Sequence, residues 1–357
     1  MTSASADGAA LRDALALNDA APAIDLHADT PLLFPFGYDI ASRHDPPLGR
    51  PWPFGHVDLP RMREGGLWGQ FFGVVTFPYL QRDLPGAARR RIEALKRRAD
   101  GSAGALRLCL TGGDVRAARA ASARAALLGI EGAHSLGGRL DHLETFARLG
   151  VRYLGFLHFT RNEAGYPAKG YGRDDSKGLT RFGAALVEEA NRLGVIVDLT
   201  HLNRRGFMEA AARTRAPAIV SHTGVTGVNP HWRNIDDEQI RAVARTGGVA
   251  GVIFSQGFLG GGSLEAVVRH LDHLRQVGGE DLPALGSDFD GAVLPPRGLE
   301  DVSRLPALTA ALKRAGWRDE ALLKLLGRNA LRVLDAVPPP AAAGAGGAVP
   351  TSPPRAS

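Results

Sequence analysis

Eight short apolar runs, each set apart from the next by a longer stretch, constrain this chain more than any other feature. They are AIDLHAD (23–29), GQFFGVVTF (69–77), AALLGIEG (125–132), VRYLGFLH (151–158), VIVDLTH (195–201), AIVSHT (218–223), GVAGVIF (248–254) and ALGSDFDG (284–291). Runs this short and this continuously apolar read as parallel strands buried on both faces. The stretches between them carry helical spacing. TRFGAALVEEANRLG (180–194) places Phe182, Leu186, Ala190 and Leu193 near a 3.6-residue period and stops at Gly194. Residues 236–246 open on Asp236 as an N-cap with an acidic first turn, and 264–279 close on a glycine pair. Strands alternating with helices in this number predict a single-domain α/β fold, a (β/α)8 TIM-like barrel spanning 23–336, with a doubly wound open sheet as the alternative.

The 357 residues supply enough chain for a large core. Residues 1–22 read as an N-terminal extension with a short helix (ALRDALAL), and 337–357 as a disordered tail of proline, alanine and glycine with little to bury. The lone cysteine, Cys109, excludes an intramolecular disulfide and a thiolate metal cluster, and favours a reducing compartment. No apolar run reaches membrane-spanning length and the first residues lack a signal-peptide pattern, so a cytoplasmic location without a membrane partner is expected. The formal charge of +6 is densest in RRRIEALKRR (89–98). With Glu93 among the bases and no nucleic-acid module nearby, that run reads as a solvated helix face, and no nucleic-acid partner is expected.

What ends each apolar run points to function. His27 and Asp29 end the first, Glu131 the third, His158 the fourth, His201 the fifth, His222 the sixth, and Asp288 and Asp290 the last. In a barrel all C-terminal strand ends open on one mouth, so residues far apart in sequence share one site. A lone histidine there is more often structural than a ligand. This many titratable groups buried together is costly unless they are paired or bind metal. His27, Asp29, Glu131, His201 and His222 offer imidazole and carboxylate without thiolate, a set suited to zinc and also to manganese, iron or cobalt. Five such groups exceed one catalytic zinc and suit two ions roughly 3.5–4 Å apart sharing a carboxylate. Such a pair holds a water as hydroxide. There is no G-x-S-x-G, no P-loop, and no glycine motif in a dinucleotide context.

At this point the chain resembles the renal (membrane) dipeptidase family of binuclear zinc peptidases. The stretches that carry the resemblance are IDLHADT, GLWGQFFGVVTF, LLGIEGAHSL, GVRYLGFLHFTRNEAG, GLTRFGAALVEEANRLGVIVDLTHLN, PAIVSHTG, RNIDDEQI and LGSDFDG, in the family's order from about 23 to 335. The resemblance implies two Zn2+ ions per chain and hydrolysis of free dipeptides by a metal-bridging hydroxide, with a D-residue accepted at the second position. It implies His27 and Asp29 as ligands of one ion, Glu131 as the bridge, and His201 and His222 as ligands of the other. His158 would contact the substrate carbonyl, Arg233 the substrate carboxylate, and Asp288 would shuttle the proton, with Asp290 the second candidate. His134 reads as a supporting or structural residue. Hydrolysis of some β-lactam amides and a homodimer are further family properties. The lipid anchor and disulfides of the animal enzymes do not carry over, since the cysteines are missing. GVIFSQGFLGGG replaces their aromatic, asparagine-rich stretch after the seventh strand, which leaves side-chain preference open. Competing readings are a metal-dependent hydrolase of another small amide, such as an N-acyl amino acid, and a non-catalytic barrel that binds. The complete ligand set argues against the latter.

Overall fold

The computed structural model describes residues 3–45 and 52–339. Nine strands occur among them: β1 Ala23–Ala28, β2 Leu67–Val75, β3 Leu106–Leu108, β4 Arg124–Glu131, β5 Val151–Gly155, β6 Ile196–Asp198, β7 Ile219–Thr223, β8 Val249–Val252 and β9 Pro283–Leu285. They pair in the order β2-β1-β9-β8-β7-β6-β5-β4-β3, and β2 also pairs with β4. That pairing runs in parallel register from Gly69↔Ala125 to Val75↔Glu131 and closes an eight-stranded (β/α)8 barrel, so the open-sheet alternative is ruled out. The extra strand β3 takes the edge of β4 at Arg124–Ala126, below the point where β5 joins it at Leu128. Three residues with Arg107 exposed in the middle leave no apolar run to detect.

Side chains alternate across the strands as the pleat requires. On β4, Ala125 and Leu127 face the barrel interior with Ile24, Phe71, Tyr153, Ile196 and Val249. Ala126, Leu128 and Ile130 face the helical layer. The helices expected at 180–194, 236–246 and 264–279 are Arg181–Arg192, Asp237–Arg245 and Leu264–Gly278. Asp236 caps its helix in a reciprocal box with Gln239.

Seven of the eight expected strand ends lie further along the chain than the observed ones, and only β7 ends where expected, at Thr223. β5 stops before His158, β6 before His201, β8 before Phe254 and β9 before Asp288. At two of these the backbone turns left-handed, with φ of 66° at His201 and 59° at Asp288, and Asp290 follows at 67°. Such residues cannot continue a ladder, so the polar ends are loop residues held just above the barrel.

The N-terminal helix Ser3–Ala20 packs on the helix Leu305–Arg314, where Thr309 Oγ1 donates to the buried Asn18 Oδ1 at 2.6 Å. Residues 8–22 are therefore built into the domain wall. At the other end Val337 is buried and its carbonyl accepts from the Arg152 guanidinium, so packed chain runs past the expected boundary at 336. The rest of the expected disordered tail, 340–357, lies outside the described residues. In the basic run, Arg89 pairs with Glu93 at 2.8 Å and the Arg98 guanidinium lies 3.9 Å above the Phe34 ring. No helix among the described residues is long and apolar enough to cross a membrane.

Candidate metal centre

His27 and His222 reach the barrel interior through irregularities in their strands. Along β1, Asp25 pairs with Gln70 and Ala28 with Phe72, so Leu26 and His27 together stand opposite Phe71 alone. Along β7, Val220 pairs with Ala250 and Thr223 with Val252, so Ser221 and His222 stand opposite Gly251 alone. Each is a one-residue bulge, a device that re-aims a side chain at a site. Asp29 lies past the end of β1 at φ −92°, ψ 21°, so it meets His27 through this local turn and not through strand alternation.

Glu131, the last residue of β4, sits between the histidines with its two oxygens facing different ways. Oε1 lies 2.8 Å from His201 Nε2 and 3.5 Å from His222 Nε2. Oε2 lies 3.7 Å from His27 Nε2 and 3.9 Å from His158 Nε2. His27 Nε2 is also 3.2 Å from Asp29 Oδ1 and 3.7 Å from Asp288 Oδ1. Three groups have ligand atoms within 4.8 Å of one another: His27–Asp29–Glu131, Glu131–His158–His201 and His27–His222–Asp288. The first is the set implied for one ion. The other two cut across the implied assignment, placing His158 with His201 and His222 with His27. The His27 and His222 rings stack at 4.1 Å.

Buried polar partners, unnoticed in the sequence, orient these ligands. Tyr153 Oη lies 2.6 Å from His27 Nδ1, leaving Nε2 directed at the carboxylates. Gly129 makes room for that ring, since a Cβ there would come 1.9 Å from Tyr153 Cζ. Ser221 Oγ donates to Asp198 Oδ2 at 2.7 Å and therefore accepts from His222 Nδ1 at 2.9 Å. That places the proton on Nδ1 and leaves the Nε2 lone pair facing the site. Asp198 Oδ1 in turn accepts from Thr200 Oγ1 and the Ser221 amide. An acid inside VIVDLTH and a tyrosine inside VRYLGFLH were the available signals. Removing the hydroxyl in Tyr153→Phe is expected to weaken metal binding roughly 10–100-fold, read by chelator competition, with an unchanged far-ultraviolet circular dichroism spectrum.

Asp288 and Asp290 part company. Asp288 turns toward His27. Asp290 is fully buried and accepts from Thr30 Oγ1 at 2.6 Å and the His56 amide at 2.7 Å. His134 Nε2 donates to the Thr76 carbonyl at 2.8 Å, and His134 belongs to none of the three ligand groups. Arg233 is 5% exposed, and its Nη2 donates to the His222 carbonyl at 2.7 Å. No carboxylate lies within 4.0 Å of its guanidinium among the described residues.

The donor set fits metal. His27 Nε2, His201 Nε2 and Asp29 Oδ1 are buried without a hydrogen-bond partner, the state of ligand atoms awaiting a cation. His201 Nε2 approaches Glu131 but off the line of a hydrogen bond. A Cβ at Gly73 would meet Asp29 Oδ1 at 2.4 Å and His27 Cε1 at 2.8 Å, so only glycine leaves this cradle open. Burial pushes His201 down to about 3, helped by Arg233. Burial acts in the same direction on His27, but Asp29 and Glu131 overcome it and hold the imidazolium up at about 10. Burial opposes ionisation of Glu131, yet His158 and His27 hold it well below the usual range. Burial, Asp29 and Glu131 together raise Asp288 well above it. His27 thus carries a proton at neutral pH that must leave before Nε2 can ligate. Metal uptake at pH 7 is expected to release at least about one proton, with apparent affinity rising roughly tenfold per pH unit below about 10. Titration calorimetry in buffers of different ionisation enthalpy measures this directly, and a buffer-independent heat would contradict it.

A closed parallel barrel with histidines and carboxylates gathered at the C-terminal mouth of its strands defines a metal-dependent hydrolase. A model of the membrane dipeptidase family, peptidase family M19, matches residues 11–343, and this chain belongs to that family. It is a metallo-dipeptidase by family. An uncharacterized protein in the pqqA 5' region of Klebsiella pneumoniae is 37% identical over 255 residues, covering 69% of this chain and 94% of that protein. The crystal structure of a metallo peptidase from Rhodobacter sphaeroides, liganded with a phosphinate mimic of the dipeptide L-Ala-D-Ala, is 31% identical with a TM-score of 0.77. The match covers 88% of this chain and 99% of that one. The dipeptidase AC, also a metallo peptidase, is 32% identical with a TM-score of 0.76 over 88% of this chain and 98% of its own.

Proposed function

We propose that this chain hydrolyses free dipeptides with two zinc ions held by His27, Asp29, Glu131, His201 and His222, and that it accepts a D-residue at the C-terminal position. The observation that carries the substrate class is Arg233. A buried guanidinium with no carboxylate within ion-pair distance among the described residues is costly unless an anion completes it. The free carboxylate of a dipeptide is such an anion, and a guanidinium binds it through paired hydrogen bonds. The solved relative that holds a mimic of L-Ala-D-Ala supports the D-residue.

The metal ions, when bound, supply Lewis-acid polarisation and water that is deprotonated at neutral pH. The protein's own groups do the rest. Arg233 holds the carboxylate and so limits the substrate's length. His158, half-buried beside Glu131 Oε2, donates to the carbonyl oxygen as charge develops there. Asp288, as the carboxylate, takes the proton of the attacking water, holds it because burial, Asp29 and Glu131 raise its affinity for a proton, and delivers it to the leaving amine. Asp290 is occupied by Thr30 and His56, and it anchors the loop instead.

The test is amino-acid release from L,L- and L,D-dipeptides by the zinc-loaded protein, alongside N-acetylated and C-amidated versions. Cleavage of free dipeptides that disappears on C-amidation is expected, together with a raised KM in Arg233→Gln. Cleavage of the blocked compounds alone would replace this reading with another small-amide hydrolase.

A further inference from the structure

The rim beside Arg233 is aromatic. Phe159 is 41% exposed although it directly follows His158. Its ring lies 4.4 Å from that of His158 and 5.1 Å from that of His201. Trp232, the residue before Arg233, meets Phe159 at 6.1 Å and 66°. It also meets His231 at 5.0 Å and Phe258 at 5.7 Å and 78°. Trp232 lines a small cavity with His201 and Arg233, and also an open cleft of about 520 Å³ that it shares with Met208 and with two ion pairs, Arg173–Asp175 and Arg205–Glu209. The cleft lies within the roughly 300–1,000 Å³ range of small-molecule sites.

The wall is held in place rather than loosely draped. The Phe159 carbonyl accepts the Tyr171 amide at 2.9 Å. Gly170, at φ 111°, is required there, because a Cβ would come 1.9 Å from that same carbonyl oxygen. Asn234 Nδ2 donates to the Phe258 carbonyl at 2.9 Å and ties the Trp232 loop to the GFLGGG stretch. Arg204, which lines both cavities, is ion-paired with Asp236 and Glu238 and does not offer a bare charge to a side chain.

We propose that Phe159 and Trp232 form the subsite for the side chain of the carboxylate-bearing residue of the dipeptide, and that they select apolar and aromatic side chains there over small or acidic ones. This rests on the dipeptidase reading and on Arg233 as the carboxylate anchor. Apolar area removed from water against the exposed Phe159 ring and the half-buried Trp232 ring favours large apolar groups, and edge-to-face packing adds to it for aromatic ones.

The experiment compares kcat/KM of the zinc-loaded protein for Ala–Gly, Ala–Asp, Ala–Leu and Ala–Phe, and for Leu–Ala and Phe–Ala with the order reversed. Ala–Leu and Ala–Phe are expected to exceed Ala–Gly and Ala–Asp by roughly tenfold or more. Phe159→Ala and Trp232→Ala, at equal metal content, are each expected to reduce the Ala–Phe to Ala–Gly ratio roughly tenfold, and Phe159→Leu to restore part of it. A flat profile across the first four substrates, or a preference that follows the first residue instead, would overturn the subsite while leaving the dipeptidase reading intact. No turnover of any dipeptide would overturn that reading and the subsite with it.

Discussion

Glu131→Gln is expected to reduce kcat/KM by about 10³-fold or more and to lower the metal content below that of the parent protein. The carboxylate presents one oxygen to His201 and His222 and the other to His27 and His158. An amide keeps one acceptor and turns N–H donors toward the other pair of imidazoles, so it cannot serve both halves. Metal assistance supplies several kcal/mol of transition-state stabilisation, and each 1.36 kcal/mol is a factor of ten in rate, which sets the expected loss. The checks are steady-state kinetics and metal analysis of the dialysed protein. Full metal content with activity within tenfold of the parent would show that Glu131 is not the shared ligand.

Asp288→Asn and Asp290→Asn are expected to fail in different ways. Asp288 faces His27 Nε2 at 3.7 Å and is raised by burial and by Asp29 and Glu131. Its amide cannot carry a proton between water and amine, so kcat is expected to fall about 10²–10⁴-fold with KM little changed. Asp290 faces away, holding Thr30 Oγ1 and the His56 amide. Asp290→Asn leaves one of those buried donors without its acceptor, at about 1–3 kcal/mol of stability. Urea unfolding monitored with the kinetics separates the two. A large kcat loss in Asp290→Asn at unchanged stability, with Asp288→Asn active, would exchange their roles.

Part of this site was legible one residue at a time. Each of the eight residues singled out by position lies at the barrel mouth, because polar groups that end an apolar run are carried there whichever strand they follow. His27 and Asp29 stand two residues apart, yet they do not share a face by simple strand alternation. His27 stands in a bulge opposite Phe71, and Asp29 lies beyond the strand. The same holds for His222, which shares its place opposite Gly251 with Ser221. A bulge is a mismatch in count between two strands distant in sequence, so neither strand alone records it. Tyr153 and Asp198 were hidden for a related reason: each reads as an ordinary strand residue until its buried partner is seen.

The sequence by itself determined the alternation of eight buried strands with helices, the imidazole and carboxylate chemistry at their ends and the order in which those residues follow the strands, because apolar periodicity and residue type are local properties. Only the tertiary structure decided that β2 meets β4 to close the barrel, that Glu131 divides its oxygens between two sets of histidines, and that Asp288 rather than Asp290 faces the centre. Each of these depends on register between strands and on left-handed turns that bring together groups far apart along the chain, and long-range register is set by packing.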